Sequence, residues 1–115
     1  MKVKFTDAPA APAIRFARLL LYQATDAKVT ELRLSVKGET PVVSFDGELR
    51  PAPDAQVCRA VIKEILGFAG VRLWPWRRSV SGRRLDCEFE STTAMSSWMM
   101  ESQDIPNELI LRRVE

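Results

Sequence analysis

The chain of 115 residues contains no histidine. That absence removes the side chain most often used as a general base near neutral pH, and the commonest metal ligand. Cysteine is scarce as well, with only Cys58 and Cys87. The two lie far apart, form no CxxC pair and sit in apolar patterns, so they read as buried thiols rather than zinc ligands. Neither GxxxxGK[ST] nor GxGxxG occurs. The glycine-rich phosphate cradles are therefore missing, and no cofactor is implied. No apolar run exceeds a few residues, whereas a membrane helix needs roughly 20. The opening "MKVKFTDAPAAPAIRF" lacks the apolar centre of a signal peptide, so a cytoplasmic location is expected. Charge of one sign is lacking too. Seventeen Lys and Arg against 15 Asp and Glu leave +2, too little by itself to argue for nucleic acid.

An enzyme built on this chain would have to use carboxylates, lysine, serine or cysteine. Lys63 lies among apolar neighbours, but its own flank, Arg59 and Glu64, is polar, and it reads as solvated. Asp86, Glu88 and Glu90 share one strand face, next to Arg83 and Arg84. They read as a wet face rather than a cation site. Ser91, Ser96 and Ser97 have no histidine to activate them. The expectation is a protein without catalytic residues, metal or cofactor.

What is present suits a globular domain. Hydrophobic residues make up 46% and charged residues 28%, and a chain of this length buries roughly two-thirds of its unfolded surface. Residues 1–12 end in "APAAP" and read as an exposed lead-in, with a single domain over 13–115. Pro12 suits the start of a helix, and Ile14, Ala17, Leu20, Leu21 and Ala24 recur at helical spacing, which predicts a helix over 12–25. "TELRLSVK" alternates, with Leu32, Leu34 and Val36 on one face, and predicts a strand with one wet side. "PVVSF" predicts a second. Asp46-Gly47 follows, a pair suited to a tight hairpin turn whose two central residues both take positive φ. Asp54 is a good N-cap for a helix in which Val57, Val61, Ile65 and Phe68 form a stripe, ending near Gly67 or Gly70.

Beyond that helix, Val71, Leu73 and Trp76 suggest a strand held to an edge by Pro75. "RRLDCEFES" alternates again, "TTAMSSWMMESQDIPN" looks irregular with a short helical turn, and "ELILRRV" closes the chain as a strand. The predicted fold is α+β. An antiparallel sheet of about five strands packs on two helices, in the order α-β-β-α-β-β-β.

Two segments stand above this background. In "RLWPWRRSVSGRR", Trp74 and Trp76 interleave with Arg72, Arg77, Arg78, Arg83 and Arg84. Such a mixture can stack bases and hold phosphates, or it can be core-edge tryptophans with arginines packed on them. In "AMSSWMM", Trp98, Met99 and Met100 suit an adaptable protein-docking surface, or a loop folded back into the core.

Read in order, "VTELRLSV", "VVSFDGEL", "VIKEILGFAGV", "SGRRLDCEFEST" and "ELILRRV" resemble the N-terminal accessory domain, PAS-like in shape, of type II secretion and type IV pilus assembly ATPases. Residues 30–35 stand where that family has S-D-I-H-I-E. Asp46-Gly47 matches its D-G turn, Ile62-Lys63 its I-K, and Gly82-Arg83 and Leu109 to Val114 its last two strands. The resemblance spans about residues 13–115. It implies a bacterial, cytoplasmic module that docks on a secretion or pilus component, with Trp98, Met99 and Met100 foremost at the contact and Trp74 and Trp76 second. The departures are equally informative. The arginines of the family's R-x-R-x-D-G fall on Val42 and Ser44, and its arginine near the end of the G-R strand falls on Glu88. Its histidine and acidic positions are Arg33 and Ser35. A phosphate-facing role needs cationic forks at those positions, so the resemblance implies a module that does not hydrolyse ATP. Two alternatives stand beside it: a small-ligand sensor holding its ligand between sheet and helix, and a single-stranded nucleic-acid binder acting through residues 72–84.

Overall fold

The computed structural model describes residues 2–5, 10–72, 77–90 and 94–114. Among these the chain runs β1 (Lys2–Phe5), α1 (Pro12–Asp26), β2 (Glu31–Lys37), β3 (Thr40–Phe45), β4 (Glu48–Arg50), α2 (Ala55–Phe68), β5 (Val80–Phe89), β6 (Met95–Ser102) and β7 (Glu108–Arg113). All seven strands join one sheet in the order β1-β5-β6-β7-β2-β3-β4. The class is α+β, as expected. The expectation of about five antiparallel strands needs correction: the sheet has seven, and its outermost pair, β1 on β5, is parallel.

Three differences account for this. Residues 2–5, read in sequence as lead-in, form β1 and pair with Asp86 to Phe89. Three residues beyond the Asp46-Gly47 turn form the short edge strand β4. The segment that looked irregular contains β6, which lies inside the sheet between β5 and β7. The strand suggested around Val71, Leu73 and Trp76 falls largely outside the described residues; Val71 itself is buried without regular structure.

Both helices behave as their sequences dictate. Pro12 opens α1, and Ala17, Leu20, Leu21 and Ala24 are its buried stripe. Asp54 caps α2 by accepting the Val57 N–H at 2.9 Å, and Cys58, Val61, Ile62, Ile65 and Leu66 are buried beneath it. The helices lie on one face of the sheet, against Leu32, Leu34, Val43, Leu85, Trp98, Met100, Leu109 and Leu111, all of them fully or almost fully buried. Burying one such side chain contributes roughly 1.5–3 kcal/mol. At the β1 margin, Phe5 meets Phe68 edge-on at 5.0 Å and stacks on Phe89 at 5.3 Å. That contact holds the outer parallel strand to both the sheet and α2.

A bulge governs β5. Pairing with β6 slips between Ser81 and Arg83, where Gly82 has φ +71°. Strand alternation would otherwise put Val80 and Leu85, five residues apart, on opposite faces. The extra residue resets the phase, and both are buried.

Candidate functional site

No described element covers the sheet face opposite the helices. Register places Glu31, Arg33, Arg84, Asp86, Ser97, Met99, Glu101, Ile110 and Arg112 together on it. Its charges are paired across strands. Arg112 on β7 meets Glu31 on β2 at 3.3 Å and also Glu101 on β6. Arg33 lies 3.7 Å from Glu31, and Arg84 lies 2.9 Å from Asp86. The Ser97 hydroxyl, with the Arg84 guanidinium, holds the Asp86 carboxyl below its ordinary range. Exposed pairs of this kind are worth about 0–1 kcal/mol each. Their effect is to leave a face of mixed, mutually neutralised charge with Met99 and the exposed Met95 set into it.

The residues expected to dock a partner divide sharply. Trp98 and Met100 point to the helix side and are 0% and 1% exposed, so neither side chain presents a surface, and that expectation is corrected. Strand alternation is the reason: β6 turns Ser96, Trp98, Met100 and Ser102 inward. Met99 points outward, half-buried between its register partners Arg84 and Arg112. Trp74 and Trp76 lie outside the described residues.

Trp98 anchors a buried polar chain that sequence reasoning missed. Its indole N–H donates to the Ser96 hydroxyl at 2.9 Å. Ser96 and Thr25 hydroxyls lie 2.8 Å apart, and Thr25 donates to the Leu21 carbonyl at 2.7 Å. Thr25 has one proton to give, so Ser96 donates to Thr25, and every donor in the chain is used. Buried serines therefore cost little here. Cys87 lies beside this chain, and burial pushes its thiol up to about 12. Burial raises Cys58 as well. Both thiols are free and buried, inert rather than nucleophilic.

Asp46 does more than turn the chain. With φ +52° at Asp46 and +86° at Gly47, the pair makes the two-residue hairpin that its sequence predicts. Its carboxylate also accepts the Thr30 hydroxyl at 2.6 Å, the Glu31 N–H at 2.7 Å and the Thr30 N–H at 3.0 Å. The Thr30 hydroxyl leads the bonds that lower the Asp46 pKa from its ordinary 3.8. The sign follows from linkage. A carboxyl with a depressed folded pKa stabilises above its unfolded value, and that contribution is lost as pH falls through the folded one. Wild type is therefore expected to lose its advantage over Asp46→Asn as pH falls below about 3.8, read as convergence of their urea midpoints. Midpoints that stay parallel down to the acid limit would show that the carboxylate does not carry the effect. Asparagine tolerates the positive φ, so the turn itself survives the substitution.

The arginines of 72–84 are scattered. Arg72, Arg78, Arg83 and Arg84 are exposed and Arg77 is half-buried. Arg84 belongs to the open face through Asp86. Arg77 and Arg83 instead line a cleft of about 440 Å³ with Ser79, Ser81, Gly82 and Gln103. A second, apolar groove of about 190 Å³ lies between α1 and the segment after β4, lined by Phe16, Leu19, Leu20, Gln23, Arg50 and Pro51. It is smaller than the roughly 300–1,000 Å³ of ordinary small-molecule sites. Among the described residues no group of three or more Cys, Asp or Glu is placed to hold a metal ion, and no helix is long and apolar enough to cross a membrane.

No protein-family model matches the chain, and no curated protein matches it either.

Proposed function

We propose that the protein is a non-catalytic docking module, kin to the PAS-like accessory domain of secretion and pilus assembly ATPases, and that it docks through its open sheet face. One observation carries this reading. The three positions that stand where the family has nucleotide-reaching arginines all fall on that face. Val42 pairs with Ser35, Ser44 with Arg33, and Glu88 with Met95, on the side away from Val43, Leu34 and Cys87; Ser44 is itself buried. The face that would look toward a motor's nucleotide thus carries two neutral residues and an acid in place of cations. The order up to α2 is the expected one apart from the marginal strands β1 and β4; beyond α2 the three strands are β5, β6 and β7, with β6 in the segment read as irregular rather than at 71–76.

Protein is favoured over nucleic acid as the partner of this face because its arginines are neutralised within it. Arg84 is paired with Asp86, and Arg33 and Arg112 with Glu31. A polyanion gains counterion release only from cations free to meet it. The contact residues become Arg33, Met95 and Met99 in place of Trp98 and Met100.

The test is association with a purified secretion or pilus assembly ATPase, measured by calorimetry. Met95 is 60% exposed, so Met95→Asp leaves the core intact. It is expected to weaken binding roughly tenfold or more, as truncating a central contact does. Leu19, 51% exposed on the helix side, provides the control, and Leu19→Asp is expected to change nothing. Absence of any association, or loss with Leu19→Asp alone, would overturn the reading.

A further inference from the structure

We propose that the cleft at the start of β5 is a binding site for a phosphate group carried on a larger molecule. It lies apart from the open-face contacts and does not depend on them.

The charge of the cleft is the first reason. Arg77 and Arg83 line it, and no carboxylate does. On the neighbouring strands Arg33, Arg84 and Arg112 are paired with carboxylates and Arg113 with backbone carbonyls. Arg77 and Arg83 have no acidic partner among the described residues. Of the acids near the cleft, Glu101, the register partner of Ser81, is held by Arg112, Asp86 by Arg84, and the Glu108 carboxylate accepts the Gln103 N–H at 3.1 Å. Two guanidiniums, always charged and able to fork onto two oxygens each, are therefore available to one oxyanion.

The neutral lining is the second reason. Ser79, Ser81 and Gln103 contribute hydroxyl and amide donors without adding negative charge. The third is the bulge. A bulged residue is left out of the strand ladder, which leaves the Gly82 backbone open to an acceptor. A Cβ built at Gly82 would meet nothing within 4 Å, so the residue borders open space. Its φ of +71° is one that glycine adopts without strain. The bulge that corrects the phase of β5 thus also bares backbone beside two arginines. The cleft is open to solvent, so a phosphate seated there can belong to a larger body that extends out of it.

The experiment titrates the full chain with inorganic pyrophosphate at low salt, followed by amide chemical shifts. Saturable shifts at Ser79 to Arg83 and at Gln103 are expected. Arg77→Gln and Arg83→Gln are each expected to weaken binding roughly tenfold. Arg78→Gln removes the same charge from an exposed neighbour outside the cleft and is expected to have little effect. A second arm with a short oligothymidylate distinguishes the source. Tighter binding than pyrophosphate assigns the phosphate to a nucleic-acid backbone, and weaker binding assigns it to a small phosphorylated ligand; either outcome keeps the site. No saturable shift with pyrophosphate, or equal losses from Arg78→Gln and Arg77→Gln, would overturn it. The ATPase association is measured separately, so the two readings fail independently.

Discussion

Trp98→Ala is expected to lower the unfolding free energy by about 3–5 kcal/mol, the range for removing a large aromatic side chain from a closed core. The ring is fully buried, its N–H binds Ser96, and the Arg113 guanidinium lies over it at 4.9 Å. Alanine would open a cavity and also leave Ser96 without the donor that its oxygen accepts. The measurement is a urea transition: the midpoint falls while the slope is unchanged. Met99→Ala, one residue along and facing outward, is expected to cost less than about 1 kcal/mol. If Trp98 were a docking anchor instead, its removal would spare the fold and abolish binding. Equal stability of wild type and Trp98→Ala would discredit the core described above.

Arg113→Met is the second large effect, at about 2–3 kcal/mol, in the range for hydrogen bonds from a charged donor. No basic residue occupies the last turn of α1, so the helix does not neutralise its own C-terminal carbonyls. Arg113 reaches in from β7 to do so. Its Nη2 donates to Ala24 O at 3.0 Å and Thr25 O at 3.3 Å, and its Nε to Val29 O at 2.9 Å. One guanidinium thus closes the helix, complements its dipole and ties it to the sheet. Methionine keeps the apolar stem over Trp98 and removes all three bonds, leaving Ala24 O and Thr25 O with only the Val29 and Lys28 N–H groups, at 3.0 and 3.2 Å. Because the two residues touch, a double-mutant cycle with Trp98→Leu should return a coupling of roughly 0.5 kcal/mol or more. Additive losses would mean that the stacked guanidinium contributes nothing through the ring.

These contacts mark where sequence reasoning succeeded and where it stopped. The helices were legible because their apolar spacing and the Asp54 cap are local signals. The Asp46-Gly47 turn was legible because few residue pairs accept two positive φ angles in succession. The β6 strand was obscured by its own composition. It buries Ser96 and Ser102 and turns Met95 and Met99 outward, so polarity and burial run against each other. Ser96 is tolerated inside only because Trp98 and Thr25 satisfy it, and neither bond shows in a linear pattern. β1 was missed because four residues gain a partner more than 80 positions away, and β4 because three residues carry no period. The open face could be anticipated from alternation in β2 and β5. The cleft could not, since it depends on a one-residue slip at Gly82 that brings Arg77, Arg83 and Gln103 to a common space.

The strand order has a consequence for how the molecule is assembled. β7, the last of the seven strands in chain order, lies between β6 and β2. Until it arrives, the β2–β3–β4 meander and the β5–β6 hairpin are two separate ribbons, each presenting an unfilled margin. Closure therefore waits on contacts between residues 31–35 and 108–112, an arrangement in which loop-closure entropy slows folding. A nascent chain still short of Leu109 would hold both halves and no seam to join them.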